Sequence, residues 1–385
     1  MLQDGSNIRI MPKRCDNSTV FVTDGKRRSS NPMMNYLRTM CRFQAALQLL
    51  PALESGEETL VGGQAVLEGV MMRTPHAWGI AVRQPSGEML CHREPLERAA
   101  EKRKWLGWPM IRGLVTLGQA MGLGFRALRF SSNVALAGMQ LTGNASAGEV
   151  AKQKEVEIPS WMVALNLIFS IGFFILMYKF VPLLAATGLK RHIPALGNSL
   201  LFNLTDGAVR IAIFLIFIWG ISRWRDIHRV FQYHGAEHKT VFAFEDGNQL
   251  TIGNAQKFST YHPRCGTSFL MTVMLISIVV YALVPATTFW GRFAARIALL
   301  PVIASLSYEM IRLAARLLRR RQSSGGQNSA KGAAAWSFIL LTRPGMWLQR
   351  ITTQPPEDGQ VECAIRALEE ALALERERGG ELVIA

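Results

Sequence analysis

The window 233–239 reads Tyr-His-Gly-Ala-Glu-His-Lys and places His234, Glu237 and His238 within one helical turn of each other. Residues four apart share a helix face, which is the spacing two imidazoles need to hold one metal ion. The order His-x-x-Glu-His is the inverted form of a zinc-hydrolase motif, in which the two histidines hold the metal and the glutamate takes a proton from water. Glu237 is therefore the candidate general base, and zinc the candidate ion. The window closes with His-Pro-Arg-Cys-Gly-Thr at 262–267, adding His262 and Cys265 as further donors. Three of the seven histidines fall in 233–265, a concentration that makes this stretch the first place to look for a site. Two histidines four apart also occur in many helices that bind nothing, so the elements around them have to supply more.

Composition says what those elements are. The chain has 385 residues and is 49% hydrophobic, a balance that points to a membrane protein. Its 43 basic and 28 acidic residues give a net charge of +15. The basic residues flank apolar spans and do not interleave with exposed aromatics, so membrane lipid is the expected partner and nucleic acid is not. The five cysteines are scattered and odd in number, which implies no disulfide framework.

Residues 1–35 mix polar and charged types without a period and read as a disordered amino-terminal extension. Residues 36–105 form an α+β unit, with an amphipathic helix over 36–53 and a β hairpin whose strands are 78–83 and 88–93 around Pro85-Ser86-Gly87. Between them, Gly62-Gly63 lets the backbone turn tightly or approach another segment. Glu68 and Arg73 are polar residues in an apolar run and rank as secondary site candidates. Residues 106–143 carry Arg112, Arg126 and Arg129 on one side of a long apolar helix, the pattern of a helix lying in the membrane interface. Gly118 and Gly122 on that helix form a small-residue pair suited to close helix contact or self-association.

Four apolar stretches, 161–184, 200–221, 268–289 and 294–313, predict four transmembrane helices within 161–313. The His-rich loop 223–267 separates the second from the third and holds Arg223, Arg225, Arg229, Lys239, Lys257 and Arg264. The other connections hold little beyond Lys190, Arg191 and Arg292. By the positive-inside bias this loop and both termini face the cytoplasm. Residues 333–385 read as an apolar, basic interfacial segment broken at Arg343-Pro344-Gly345, followed by an amphipathic helix marked by Val361, Ile365, Leu368 and Leu372. The fold class is thus a mainly α polytopic membrane protein with interfacial helices and a small cytoplasmic β unit.

In this topology His234, His238, His262, Cys265 and Glu309 all lie at one membrane depth. Glu309 is the one acid in the last two spans, so it needs a partner. Arg312, three residues on, is one; a metal is another. Two ligand sets compete. In the catalytic set His234, His238 and Glu309 hold zinc, water takes the fourth position and Glu237 is the base. In the structural set His234, His238, His262 and Cys265 close the shell.

The motifs at 62–73 (Gly-Gly-Gln-Ala-Val-Leu-Glu-Gly-Val-Met-Met-Arg), 233–239, 262–268 and 344–350 (Pro-Gly-Met-Trp-Leu-Gln-Arg) together resemble the YqhQ-like family of bacterial membrane proteins. The resemblance covers roughly 60–374. It implies a domain of unknown function whose members are commonly labelled predicted metal-dependent enzymes. The expectation is a multi-pass protein of the bacterial inner membrane, a zinc-dependent hydrolase acting on a peptide or lipid-linked substrate. The alternative is a non-enzymatic, homo-oligomeric or chaperone-like protein with a structural metal or none.

Overall fold

A computed structural model describes residues 13–14, 61–97, 103–142, 160–262, 265–284, 288–323 and 333–378. The expected extension 1–35, apart from two residues, and the expected helix 36–53 lie outside them. The described chain is mainly helical with one small antiparallel sheet. Its strands are β1 (Lys13–Arg14), β2 (Gly62–Val66), β3 (Gly69–Arg73), β4 (Ala77–Arg83) and β5 (Met89–Pro95), in the order β1-β5-β4-β3-β2. The two strands expected around Pro85-Ser86-Gly87 are β4 and β5, and Gly87 takes the positive φ (87°) that this turn requires. The glycine-rich stretch before them is a second hairpin, with Val66 opposite Gly69 and Glu68 in the left-handed region at φ 52°. Cys91 on β5 is disulfide-bonded, a bond that the scattered cysteines did not announce.

The longer helices are α1 (Ile111–Thr142), α2 (Ser160–Ile175), α3 (Val181–Lys190), α4 (Ser199–Ile221), α5 (Arg225–Glu245), α6 (Gly266–Ala282), α7 (Phe289–Ala298), α8 (Leu300–Ser323), α9 (Ala333–Thr352) and α10 (Asp358–Glu377). A π turn, Leu176–Phe180, joins α2 to α3.

The sheet is covered on both sides, so β4 is buried from Ala77 to Val82 instead of alternating. On one side Leu123, Ala127 and Val134 of α1, at helical spacing, meet Val66, Met71, Trp78, Ile80 and Val82. On the other, Val361, Ala364, Ile365, Leu368 and Leu372 of α10 pack with Val70, Met72 and Ala81 and with Tyr233 and Ala236 of α5. The carboxy-terminal helix therefore locks the sheet to the helix that carries the histidines. Glu375 of α10, 4% exposed, seals this contact: it accepts from Thr74 Oγ1 (2.7 Å), the His76 amide (2.9 Å) and His76 Nδ1 (2.8 Å).

Among the described residues two helices are long and apolar enough to cross a membrane, Ile168–Lys190 and Ser199–Ile221, and α7 with the first part of α8 makes a third if that pair, bent by 49°, counts as one span. The structure thus supports two or three candidate spans where the sequence suggested four. The stretch expected as 268–289 ends as a helix at Ala282, before Pro285, and its 17 residues reach about 25 Å, short of a bilayer core of about 30 Å. The expected break at 343–345 does not occur either: α9 runs through Pro344 and buries Leu348, Gln349 and Thr352 near its end.

One glycine couples the two halves of the molecule. A Cβ on Gly235 of α5 would stand 2.1 Å from the Gln354 carbonyl oxygen, so only glycine lets the segment after α9 lie on this helix, where the Gln354 amide donates to the Phe231 carbonyl (2.9 Å). Gly235→Ala should push that segment off and cost about 1–3 kcal/mol, seen as a lower melting temperature of the detergent-solubilised protein. Glu375→Gln should cost about 1–3 kcal/mol at neutral pH. Burial raises the Glu375 pKa, but the hydrogen bonds from His76 and Thr74 outweigh it and hold the group below its ordinary value. Its contribution is then present above the usual glutamate pKa and lost as pH falls through the depressed one. The gap between the wild-type and E375Q melting temperatures should persist down to about pH 4.5 and close below it.

Candidate metal centre

Three segments meet at the histidine pair. The first is α5, whose residues Tyr233 and Gly235 to Ala243 are buried. The one-turn spacing of His234 and His238 brings their ring centroids to 4.5 Å. The second is the connection before α6, carrying Thr260, His262 and Cys265; the third is the end of α9 with Gln349 and Thr352.

His234 Nδ1 lies 2.8 Å from the Thr352 carbonyl oxygen, and His238 Nδ1 lies 2.5 Å from that of Thr260. A carbonyl can only accept, so each Nδ1 carries a proton, and in the neutral imidazole that leaves the lone pair on Nε2. Carbonyls that orient imidazoles in this way are the usual outer partners of metal-ligating histidines. Cys265 Sγ is 3.3 Å from His234 Nε2 and accepts from Thr267 Oγ1 at 3.2 Å. One donor atom from each of His234, His238 and Cys265 falls within 4.8 Å of the others, a grouping that could hold a metal ion. Burial holds the His238 pKa down and pushes that of His262 to about 4, so both are neutral at pH 7, the form in which imidazole ligates. Two imidazoles and a thiol suit zinc or copper better than magnesium or calcium.

The other sequence candidates are placed as follows. Glu237 is buried beside the group, with Oε2 3.3 Å from His238 Nε2. Gly63 is the reason it fits: a Cβ there would stand 2.6 Å from Glu237 Cγ, so the glycine lets β2 come down on the carboxylate. His262 lies next to the group, its ring centroid 5.6 Å from that of His238, but outside the three-donor set. Its Nε2 faces Glu245 Oε2 at 3.4 Å and its ring packs on Phe242. Gln349 clasps its backbone, accepting from the His262 amide and donating to its carbonyl, both at 2.8 Å.

Glu309 is not at the histidines. Its carboxylate is held by Arg112 of α1, with Nε to Oε1 at 2.7 Å and Nη2 to Oε2, and it accepts from the Met110 amide at 3.3 Å. A forked arginine clamp satisfies the carboxylate that the sequence offered as third ligand, and Cys265 stands where that ligand was expected. Glu68 is clamped in the same way by Arg229 of α5 (Nε to Oε1, 2.7 Å), and Tyr233 Oη donates to it at 3.4 Å. It ties the β2–β3 turn to α5 just before His234, a positioning contact. Arg73 is exposed at the end of β3, between Gly62 of β2 and Trp78 of β4.

Sequence reasoning missed the Thr260 and Thr352 carbonyls, because main-chain acceptors leave no side-chain signature. Lys239 was counted only as a loop charge. It is buried, its pKa is lowered by that burial to about 8, and it donates to the carbonyls of Gln256 and Phe258 at 2.8 Å each, folding 256–258 back on α5. Gln349 had a readable signal, the lone amide that follows Met346-Trp347-Leu348 in the 344–350 motif.

Residues 108–374 match the family described as Protein of unknown function (DUF1385). The chain is also 32% identical over 318 residues, spanning 82% of it and 92% of the relative, to the protein of Bacillus subtilis (strain 168) described as Uncharacterized protein YqhQ. No solved structure matches it. The histidine pair, Cys265, the Arg112–Glu309 clamp and the buried residues of α10 up to Leu372 all fall inside the matched stretch. The chain therefore belongs to the YqhQ-like DUF1385 family, whose function is not established.

Proposed function

We propose that this protein is a zinc-dependent hydrolase of the bacterial inner membrane, with His234, His238 and Cys265 as ligands and Glu237 as general base. The observation that supports it best is the pair of Nδ1 hydrogen bonds to main-chain carbonyls, which turns both Nε2 atoms toward the Cys265 sulfur before any ion arrives. Bound there, zinc supplies Lewis acidity for a carbonyl or phosphoryl oxygen and lowers the pKa of water. Three protein donors leave one position of a four-coordinate shell open, as catalytic sites require. That Glu237 is buried and 3.3 Å from His238 Nε2 supports its role as the group that accepts a proton beside that position. The basic residues around α5 favour the cytoplasmic face, so the substrate we propose is a peptide or lipid-linked molecule reached at the bilayer surface.

A second reading is favoured by His262. Its buried ring, 5.6 Å from that of His238, is near enough that turning it away from Glu245 would bring a fourth donor and make the site structural. Metal analysis and X-ray absorption on the purified full chain separate these. About one equivalent of zinc is expected, falling below about half in His238→Ala and Cys265→Ser and retained in Glu237→Gln. A shell of two nitrogens, one sulfur and one oxygen supports the hydrolase; three nitrogens and one sulfur supports the structural site. In the first case Glu237→Gln should slow turnover of any substrate of the wild type by about a hundredfold or more. Wild-type protein holding less than about half an equivalent of any metal would overturn both.

A further inference from the structure

The stretches 160–222 and 266–323 contain two acidic residues, Asp206 and Glu309. Glu309 is held by Arg112, so Asp206 is the carboxylate left in these helices for their buried cations. Among the described residues there are three beside it: Lys179, Arg210 and Arg296 are 5%, 3% and 2% exposed, and Asp206 1%. Arg210 donates to Asp206, and Arg296 Nη2 lies 3.2 Å from the same carboxylate. The remaining partners are neutral. Arg210 reaches Ser277 Oγ (2.7 Å), Arg296 reaches Asn203 Oδ1 (3.2 Å) and Lys179 reaches Tyr281 Oη (3.1 Å). All three cations stand 5.1 to 5.4 Å from the centre of the Tyr281 ring. These contacts supply hydrogen bonds but only one negative charge. Arg210 Nε, Arg296 Nε and Asp206 Oδ1 have no hydrogen-bond partner among the described residues.

A surplus of buried positive charge in apolar surroundings is costly unless an anion joins it. Two further features point to a built site. Lys179 lies in the π turn Leu176–Phe180, an irregularity that recurs at functional positions in helices. A cleft also reaches the cluster, lined by Asn203, Tyr281, Val284, Arg292, Ala295 and Arg296. Arg292 is part-exposed there, its guanidinium 4.1 Å from the centre of the Phe202 ring, and adds a fourth cation. The cleft lies near the start of α4 and beyond the end of α6. The histidine cluster lies beyond the other end of α4 and before the start of α6, so the two are at opposite ends of these helices.

We propose that the mouth of this narrow cleft binds a phosphate group, held by the part-exposed Arg292 with Arg296 beneath it, and belonging to an anionic phospholipid of the leaflet at that end. Guanidinium groups match phosphate oxygens in forked geometry, and a phospholipid carries its phosphate at the membrane surface, where such a cleft would open. The test is thermal unfolding of the delipidated full chain in nonionic detergent, titrated with phosphatidylglycerol, with diacylglycerol, or with inorganic phosphate. Phosphatidylglycerol should raise the melting temperature and diacylglycerol should not. Stabilisation by inorganic phosphate to the same extent would support the site with free phosphate as its source; stabilisation by the phospholipid alone assigns it to lipid. Arg292→Gln, at a part-exposed position that should leave the fold intact, should weaken the fitted affinity about tenfold or more. Arg296→Gln should do the same if it folds. No stabilisation by either phosphate, equal stabilisation by diacylglycerol, or an unchanged affinity in Arg292→Gln would overturn the proposal.

Discussion

Two main-chain carbonyls, those of Thr260 and Thr352, set the chemistry of the histidine pair. Each belongs to a segment distant from α5, and each must be docked for its imidazole to hold the proton on Nδ1. Take either segment away and the ring is free to turn or change tautomer, and the convergence with Cys265 goes with it. Much of the surrounding structure reads as a means of holding those segments. Gly235 gives the segment after α9 its room, Gln349 clasps the backbone of His262, and Lys239 draws 256–258 back to the helix.

Charge is used in two distinct ways. Arginine forks on single carboxylates act as ties: Arg229 on Glu68 joins α5 to the β2–β3 turn, and Arg112 on Glu309 joins α1 to α8. Both are part-exposed, so their value lies in fixing geometry more than in stability. Within the apolar helices the balance is different. Asp206 cannot neutralise Lys179, Arg210 and Arg296 together, and aromatic and neutral polar groups make up the rest of their surroundings. One end of the helices thus gathers neutral imidazoles and a thiol, the other a surplus of cations.

Local periodicity made much of this readable in advance. The histidines share a helix face because 3.6 residues per turn bring positions four apart together. Val361, Ile365, Leu368 and Leu372 face one way for the same reason, and strong hydropathy over 161–184 and 200–221 marked the regions of the candidate spans Ile168–Lys190 and Ser199–Ile221. The hairpin β2–β3 was hidden by its composition, since strand pairing made a regular element out of glycines that read as flexible. Where the third apolar helix ends and the bend in the pair after it were not legible, because hydropathy counts apolar residues without saying where a helix stops or turns.

By itself, then, the sequence determined the family, the helical character, the presence of membrane-length apolar helices and the face shared by His234 and His238, all of which depend on neighbours along the chain. The tertiary structure alone decided that Cys265 joins the pair, that His262 turns to Glu245, and that Glu309 goes to an arginine 197 residues away. The reason is physical. Several donors had compatible types and similar expected depth, and the choice among them rests on which distant partner satisfies each buried polar group, which no local pattern encodes.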